Sequence, residues 1–459
     1  MLRAAPVRLL VALAALLGCG GGPAPQPPNV VVILSDDQGY ADVGVYGSPD
    51  IPTPHIDSLA RNGVRFSDGY ASAPQCAPSR AGLLTGRYQN RFGFETNFEA
   101  NGAGLPREEV TFAERMRAAG YATGWIGKWH VGTQDYNHPL ARGFDEAFGF
   151  FGALSPYLPA AGKASIPDLF RGREPVVVNE YLTDVFAREA VDFIERNRAR
   201  PFFLLLAFNA PHEPLQAPQA RLDRFAQIQD PKRRTYAAMV SALDDGVGQV
   251  LAAIAAAGLE QRTLIFFLSD NGGPAGRMWN GASNAPLRGA KGNTFEGGIR
   301  VPFLVQWKGR LPAGSVYREP VIALDLLPTA LAAAGVEVRP EWRLDGVNLL
   351  PQLEGTRTTP PHDALFWRFA WPVRPASRRD GAIRQGDWKL VTEGARQPGP
   401  PRRFEALREL IDLRADPHED HDLSAAQPER ARALAERWQA WDAELPEPPM
   451  APVNRSSSR

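Results

Sequence analysis

Short apolar runs alternate with longer amphipathic stretches along most of this chain, and no other feature limits its fold so strongly. The run V-V-V-I-L at 30–34 is continuous, as expected of a strand buried on both faces. Residues 122–127, 202–207, 263–268 and 302–306 read as further strands. Between them, 53–62, 111–119, 183–198, 235–257 and 324–334 read as helices. Gly63, Gly120 and Gly258 close three of these. The alternation predicts an α/β fold, a largely parallel sheet flanked by helices on both faces. With 459 residues, 44% of them hydrophobic, the chain can build a large core and more than one hydrophobic unit.

The polar clusters fall at regular places. Asp36 and Asp37, Lys128 and His130, His212, and Asp270 with Asn271 each lie just past the C-terminal end of an apolar run. One Asp after a strand is ordinarily a turn or cap residue. Four such clusters, far apart in sequence, are expected to converge, because open α/β sheets bind ligands outside the carboxyl ends of their strands. Asp36, Asp37, Asp270 and Asn271 offer only oxygen donors, which select calcium or magnesium over zinc. Three carboxylates in one place would repel each other without a cation. The seven histidines are spread along the chain and do not give the ligand set of a zinc-based phosphatase.

The stretch 74–87, P-Q-C-A-P-S-R-A-G-L-L-T-G-R, adds a nucleophile candidate. Pro78 fits a first helical turn, so Cys76 is expected at or just before a helix N-terminus, where backbone N–H groups favour an anion. Arg80 adds fixed positive charge one turn on. A sulfur, an anion site and an Arg together suggest nucleophilic chemistry on an anionic substrate.

The remaining composition narrows the field. Formal net charge is zero, which argues against a nucleic-acid binder. Two cysteines make no disulfide framework. Residues 1–19 read as a targeting segment, with Arg3 and Arg8 before an apolar run too short to span a bilayer. Its end, L-L-G-C, resembles a bacterial lipobox, which implies export and a lipid anchor on Cys19 in the cell envelope. Residues 20–28 then read as a flexible tether. After a first unit at 29–350 the texture changes. At 351–446, short strands (365–370, 382–383, 388–391, 409–413) and a helix (428–444) suggest a small antiparallel sheet with one covering helix. Residues 447–459 read as a disordered tail.

The run C-A-P-S-R at 76–80 resembles the C-x-P-x-R motif of type I sulfatases, members of the alkaline phosphatase superfamily. The likeness extends through S-D-D-Q-G-Y-A-D-V-G (35–44), G-K-W-H (127–130), R-G-F-D (142–145), P-H-E-P (211–214), S-D-N-G-G (269–273) and K-G-N-T-F-E-G-G-I-R (291–300). It implies an alkaline-phosphatase-like α/β domain with a smaller C-terminal domain, and conversion of Cys76 to a Cα-formylglycine whose hydrated aldehyde attacks sulfur. It further implies one Ca2+, with Mg2+ as the alternative, held by Asp36, Asp37, Asp270, Asn271 and position 76. Arg80, Lys128 and Lys291 are the candidates to offset the developing charge, and the resemblance implies that Lys128 and Lys291 contact the sulfate. His130 would take a proton from the hydrate, and Lys291 or His212 would protonate the departing alcohol.

The implied partners are a sulfated small molecule or glycan and a formylglycine-generating or anaerobic sulfatase-maturing enzyme. The alternatives are a phosphate or phosphonate ester hydrolase of the same superfamily and a non-catalytic lipoprotein that binds sulfated glycans. Segments 134–160, 273–287 and the aromatic run 366–371 are candidates to shape the leaving-group side. The aromatic run fits packing between the two domains equally well.

Overall fold

The structure is a computed structural model that describes residues 26–97, 102–370, 379–393 and 407–447. The expected leader, Cys19, most of the tether and the tail beyond residue 447 lie outside the described residues. A ten-stranded sheet runs β11-β2-β10-β9-β1-β8-β4-β5-β6-β7. Its strands are β1 (Asn29–Ser35), β2 (Val64–Phe66), β4 (Ala122–Lys128), β5 (Glu146–Phe150), β6 (Phe170–Arg171), β7 (Glu174–Pro175), β8 (Phe202–Ala207), β9 (Thr263–Ser269), β10 (Phe303–Gln306) and β11 (Ser315–Tyr317). β3 (Gly69–Tyr70) pairs separately with β12 (Val321–Ile322).

The centre is parallel: β1 pairs with β8 and β9, and β4 with β8 and β5. β10 is antiparallel to β9, and the β6–β7 hairpin is antiparallel at the opposite edge. The continuous apolar runs become central strands because both their faces are covered. Val30, Val32 and Leu34 enter one core, with α2 (Cys76–Thr85), α3 (Phe112–Ala118) and α6 (Leu326–Ala333). Val31 and Ile33 enter the other, with α1 (Pro54–Arg61), α4 (Leu182–Asn197) and α5 (Pro231–Ala256). The period of two along a strand sorts the side chains between these layers.

α5 begins at Pro231 rather than near residue 235. Asp230 caps it, its side chain accepting from Arg233 N, and Pro231 takes the first helical position. α3 is capped by Thr111, whose hydroxyl accepts from Glu114 N while Glu114 reaches back to Thr111 N.

A second, antiparallel sheet follows, in the order β13 (Leu365–Ala370), β14 (Arg379–Gln385), β15 (Trp388–Glu393), β16 (Leu407–Asp412), covered by α7 (Pro428–Ala443). Leu349, Leu350 and Leu353 still pack in the first core, so the chain leaves that core a few residues past 350. The aromatic run resolves toward packing. Trp367 is fully buried with Tyr70 and Trp441 between the two sheets, and its indole N–H donates to Ala71 O at 2.9 Å. Trp371 lies outside the described residues.

Candidate active site

Three strand ends are stitched together at one edge of the sheet. Asp36 N donates to Ala210 O at 3.1 Å, and Asp270 N to Ser35 O at 3.0 Å. Asp37 N donates to Asp270 Oδ1 at 3.2 Å. These bonds bring the residues after β1, β8 and β9 side by side, as the switch from strand to loop requires. Asp37 and His130 take left-handed φ values of 61° and 59°. Neither is glycine, so the surrounding structure holds both in a conformation that is strained for side-chain-bearing residues.

Cys76 opens α2 and is buried against this edge. Its Sγ lies 3.6 Å from Asp36 Oδ1, 3.9 Å from Asp37 Oδ1 and 3.2 Å from Lys291 Nζ. Arg80, one turn on, donates Nε to Asp270 Oδ2 at 2.9 Å and Nη1 to Lys128 O at 2.8 Å. Lys128 Nζ stands 2.5 Å from Asp36 Oδ2, and Lys291 Nζ 2.7 Å from Asp37 Oδ1. Asn271 Nδ2 donates to Asp37 Oδ1 at 2.7 Å. His212 Nδ1 sits 2.8 Å from Glu213 O, so this nitrogen carries the proton. Nε2 is then left to accept from Lys291 Nζ at 3.4 Å. His130 is buried next to Lys128, and both its ring nitrogens lack a hydrogen-bond partner among the described residues. All ten residues singled out in the sequence therefore gather at one place.

Electrostatics divide these groups. Burial works to raise Asp36 and Asp37, but nearby positive charges prevail: Lys128, Arg80 and Lys291 for Asp36, and Lys291 for Asp37. Both stay below the usual carboxylate range. Asp270 goes the other way, pushed up to about 6 by burial and by Asp36, despite Arg80. Burial works against charge on Lys291, but Asp37 and Asp36 hold its ammonium well above the ordinary lysine range. Burial followed by Lys128 and Arg80 depresses His130 far below its ordinary value, and burial with Lys128 depresses His212. Both imidazoles are neutral at pH 7. Burial pushes the Cys76 thiol up in spite of Lys128 and Lys291, so a plain cysteine here stays protonated and inert.

Asp36 and Asp37 offer carboxylate oxygens that suit a hard divalent cation, and with Cys76 and His212 they present atoms within 4.8 Å of one another. Asp270, whose oxygens accept from Asp37 N and Arg80 Nε, is not in that group. Asn271 Oδ1 is buried with no hydrogen-bond partner among the described residues, an acceptor of the kind such an ion satisfies. A second grouping, His55 with Asp244 and Asp245, has another explanation. Asp244 caps α1 by accepting from His55 N and Ile56 N at 3.1 and 2.8 Å.

Sequence reasoning missed Gln38 and Asn209. Both are buried beside the site, and both atoms of each side-chain amide lack a hydrogen-bond partner among the described residues. Gln38 directly follows the acidic pair and Asn209 ends the β8 run, so position alone was a signal for each.

Comparison with known proteins accords with this geometry. The sulfatase family model matches residues 28–336, and the model for the C-terminal part of N-sulphoglucosamine sulphohydrolase matches 290–439. N-acetylgalactosamine-6-sulfatase of Sus scrofa is 39% identical over 377 residues, 77% of this chain and 71% of that protein. Arylsulfatase A of Bos taurus is 36% identical over 452 residues, 90% of this chain and 86% of that protein. Among solved structures, Ps i-CgsB in complex with k-i-k-neocarrahexaose superimposes with a TM-score of 0.84 at 37% identity, covering 93% of this chain and 95% of that one.

Proposed function

The chain belongs to the sulfatase family of the alkaline phosphatase superfamily and is a sulfuric ester hydrolase, and from that premise we propose that residue 76 acts as a formylglycine nucleophile beside one divalent ion, Ca2+ in preference to Mg2+. The observation that carries the reading is the position of Cys76 Sγ, within 4 Å of two carboxylates and one ammonium from distant parts of the chain. Asp36, Asp37, Asp270 and Asn271 are the residues that would hold the ion, with position 76. When present, the ion and the hydrated aldehyde supply charge neutralisation, a hydroxyl nucleophile and a second hydroxyl whose ionisation releases sulfate.

The chain's own groups do the rest. Arg80, buried and paired to Asp270, fixes the orientation of α2 and hence of residue 76. The ammonium groups of Lys128 and Lys291 grip the sulfuryl oxygens and lower the barrier as charge develops on the leaving oxygen. His130, neutral and free of competing hydrogen bonds, is suited to accept a proton. Lys291 hydrogen-bonds His212 Nε2, so a proton given to the leaving oxygen by one can be replaced through the other.

The substrate we propose is a sulfate ester on a galactose-configured sugar. Support comes from the similarity to N-acetylgalactosamine-6-sulfatase and to a structure holding a neocarrahexaose. We further propose that the protein is exported and anchored through Cys19, and that a formylglycine-generating or anaerobic maturing enzyme modifies it.

Mass spectrometry of the tryptic peptide holding residue 76 tests the central step. The peptide should lose the difference between a –CH2SH and a –CHO side chain in active preparations. Full activity with an unmodified thiol would refute it. Paired assays on an aryl sulfate and an aryl phosphonate, with and without a calcium chelator, separate this reading from a phosphonate hydrolase. Sulfate turnover should dominate and should need the ion.

A further inference from the structure

Lys291 sits on a loop whose outer side faces the C-terminal sheet. The loop closes on itself through Gly297 N to Arg288 O at 2.7 Å. Lys291 N donates to Gly273 O at 3.1 Å, and Gly292 N donates to Pro74 O at 2.8 Å, two residues before Cys76. Its far end lies on the acidic loop after β9. Gly272 N donates to Gly298 O at 3.0 Å, and a Cβ on Gly272 would meet Gly297 O at 1.9 Å. A shift of residues 296–298 is therefore felt both at Asn271 and at Lys291.

What holds this loop from outside is a fully buried lysine. Lys389 Nζ, on β15, bonds Glu296 Oε1 and Glu419 Oε1, each at 2.8 Å. Glu419 returns to the loop, its Oε2 accepting from Glu296 N at 2.7 Å. Glu419 has a left-handed φ of 58°, a conformation its contacts must maintain. Arg288 adds a second strap, donating Nη1 to Glu409 Oε2 at 2.6 Å and to Glu419 O at 2.7 Å.

We propose that Lys389 is a positioning residue for catalysis: by holding Glu296 and Glu419 it fixes the 288–298 loop, and so the ammonium of Lys291 relative to residue 76. The C-terminal sheet is then part of the catalytic apparatus without touching substrate. This rests on the reading of Lys291 as a group that acts on the sulfate and its leaving oxygen. A misplacement of about 1 Å can lower turnover roughly 100-fold.

The test uses mature, metal-loaded enzyme and two sulfate esters, one of an acidic phenol and one of an alcohol. The phenolate leaves with little help, whereas the alcohol needs a placed proton donor. Lys389→Met should lower kcat for the alkyl sulfate about 10- to 100-fold and for the aryl sulfate by a clearly smaller factor, the part that comes from the sulfate contact alone. Leu434→Ala, which weakens only the packing of α7 on its sheet, should lower Tm while leaving the ratio of the two kcat values unchanged. Equal losses on both esters, no loss, or the same change of ratio in Leu434→Ala would each overturn the proposal.

If Lys389→Met does not fold, Arg288→Met takes its place. It should show the same selectivity at smaller amplitude, and an unchanged ratio there overturns the proposal as well. Lys291→Ala is measured alongside. Its collapse together with an unaltered Lys389→Met removes only the positioning role, whereas retained activity in Lys291→Ala removes the reading of the site and this inference with it.

Discussion

Two buried charge clusters stand a short distance apart in this molecule, and they are built on opposite terms. The cluster between the two sheets sets Asp68, Glu296 and Glu419 against Arg300, Arg384 and Lys389. The candidate catalytic cluster sets Asp36, Asp37 and Asp270 against Arg80, Lys128 and Lys291. The formal charges are the same. In the first, the Tyr70 hydroxyl closes the circuit to Glu296 and Arg384, and none of its side-chain N or O atoms is buried without a hydrogen bond among the described residues. In the second, both nitrogens of His130 and the Asn271 oxygen have no such bond, and Asp37 and His130 are strained. Burying charge is compatible with stability only where every group is paired. The catalytic cluster leaves groups open, and these are the groups a substrate and an ion would engage.

The sharpest division between the clusters is expected at Cys76. Cys76→Ala should reduce turnover of an aryl sulfate by roughly a million-fold, or to the detection limit, with Tm shifted little. A large fall in Tm would mean that the open cluster also carries the fold. Lys389→Met should act in the opposite sense on stability. It takes from Glu419 its cation, while Glu296 keeps Arg300 and the Tyr70 hydroxyl, and should lower the unfolding free energy by about 3–5 kcal/mol in urea titrations. A neutral result would remove the distinction from the other side.

Chelation should touch only the catalytic cluster. An ion present at about 100 times its Kd contributes about 2.7 kcal/mol. Its removal should lower Tm by the same increment in wild type and in Lys389→Met, measured by scanning fluorimetry.

The smallest effect concerns two histidines with opposite surroundings. His130, among cations, is held neutral. His362 has a raised pKa: burial opposes its charge, but Asp325, 2.9 Å from Nε2, outweighs it. Asp325 also accepts from Ile322 N and Val347 N. Because the folded value exceeds the unfolded one, this stabilisation is complete below about pH 6.5 and lost as pH rises through the folded value. His362→Gln should flatten the decline of unfolding free energy above pH 6.5. An unchanged pH profile would show that the pair contributes nothing.

What could be read in the sequence follows from burial. β1, β8 and β9 are covered on both faces and appear as unbroken apolar runs, and the acidic and basic groups after them are fixed by that register. β5, E-A-F-G-F, carries a charge and a glycine and was instead taken within a candidate leaving-group segment, although it pairs with β4 over five residues. β2 and β11 are three residues each and too short to show a period. The expected start of α5 at 235 is four residues late, although Asp230-Pro231 is a legible cap and first-turn pair. Glu296, Lys389 and Glu419 were not foreseeable as a set. Their sequence separations of 93, 123 and 30 residues reflect contact between two sheets, for which no local pattern exists.

The direction of β1 has a bearing on how the enzyme meets large substrates. The strand enters the sheet at Asn29 and delivers Asp36 to the reactive edge, about 20 Å further along. Residues 26–28 therefore lie at the end of the sheet opposite the reactive edge. On the proposed reading of an anchor at Cys19, the reactive edge is on the side of the molecule away from the tether, open to polymeric substrates.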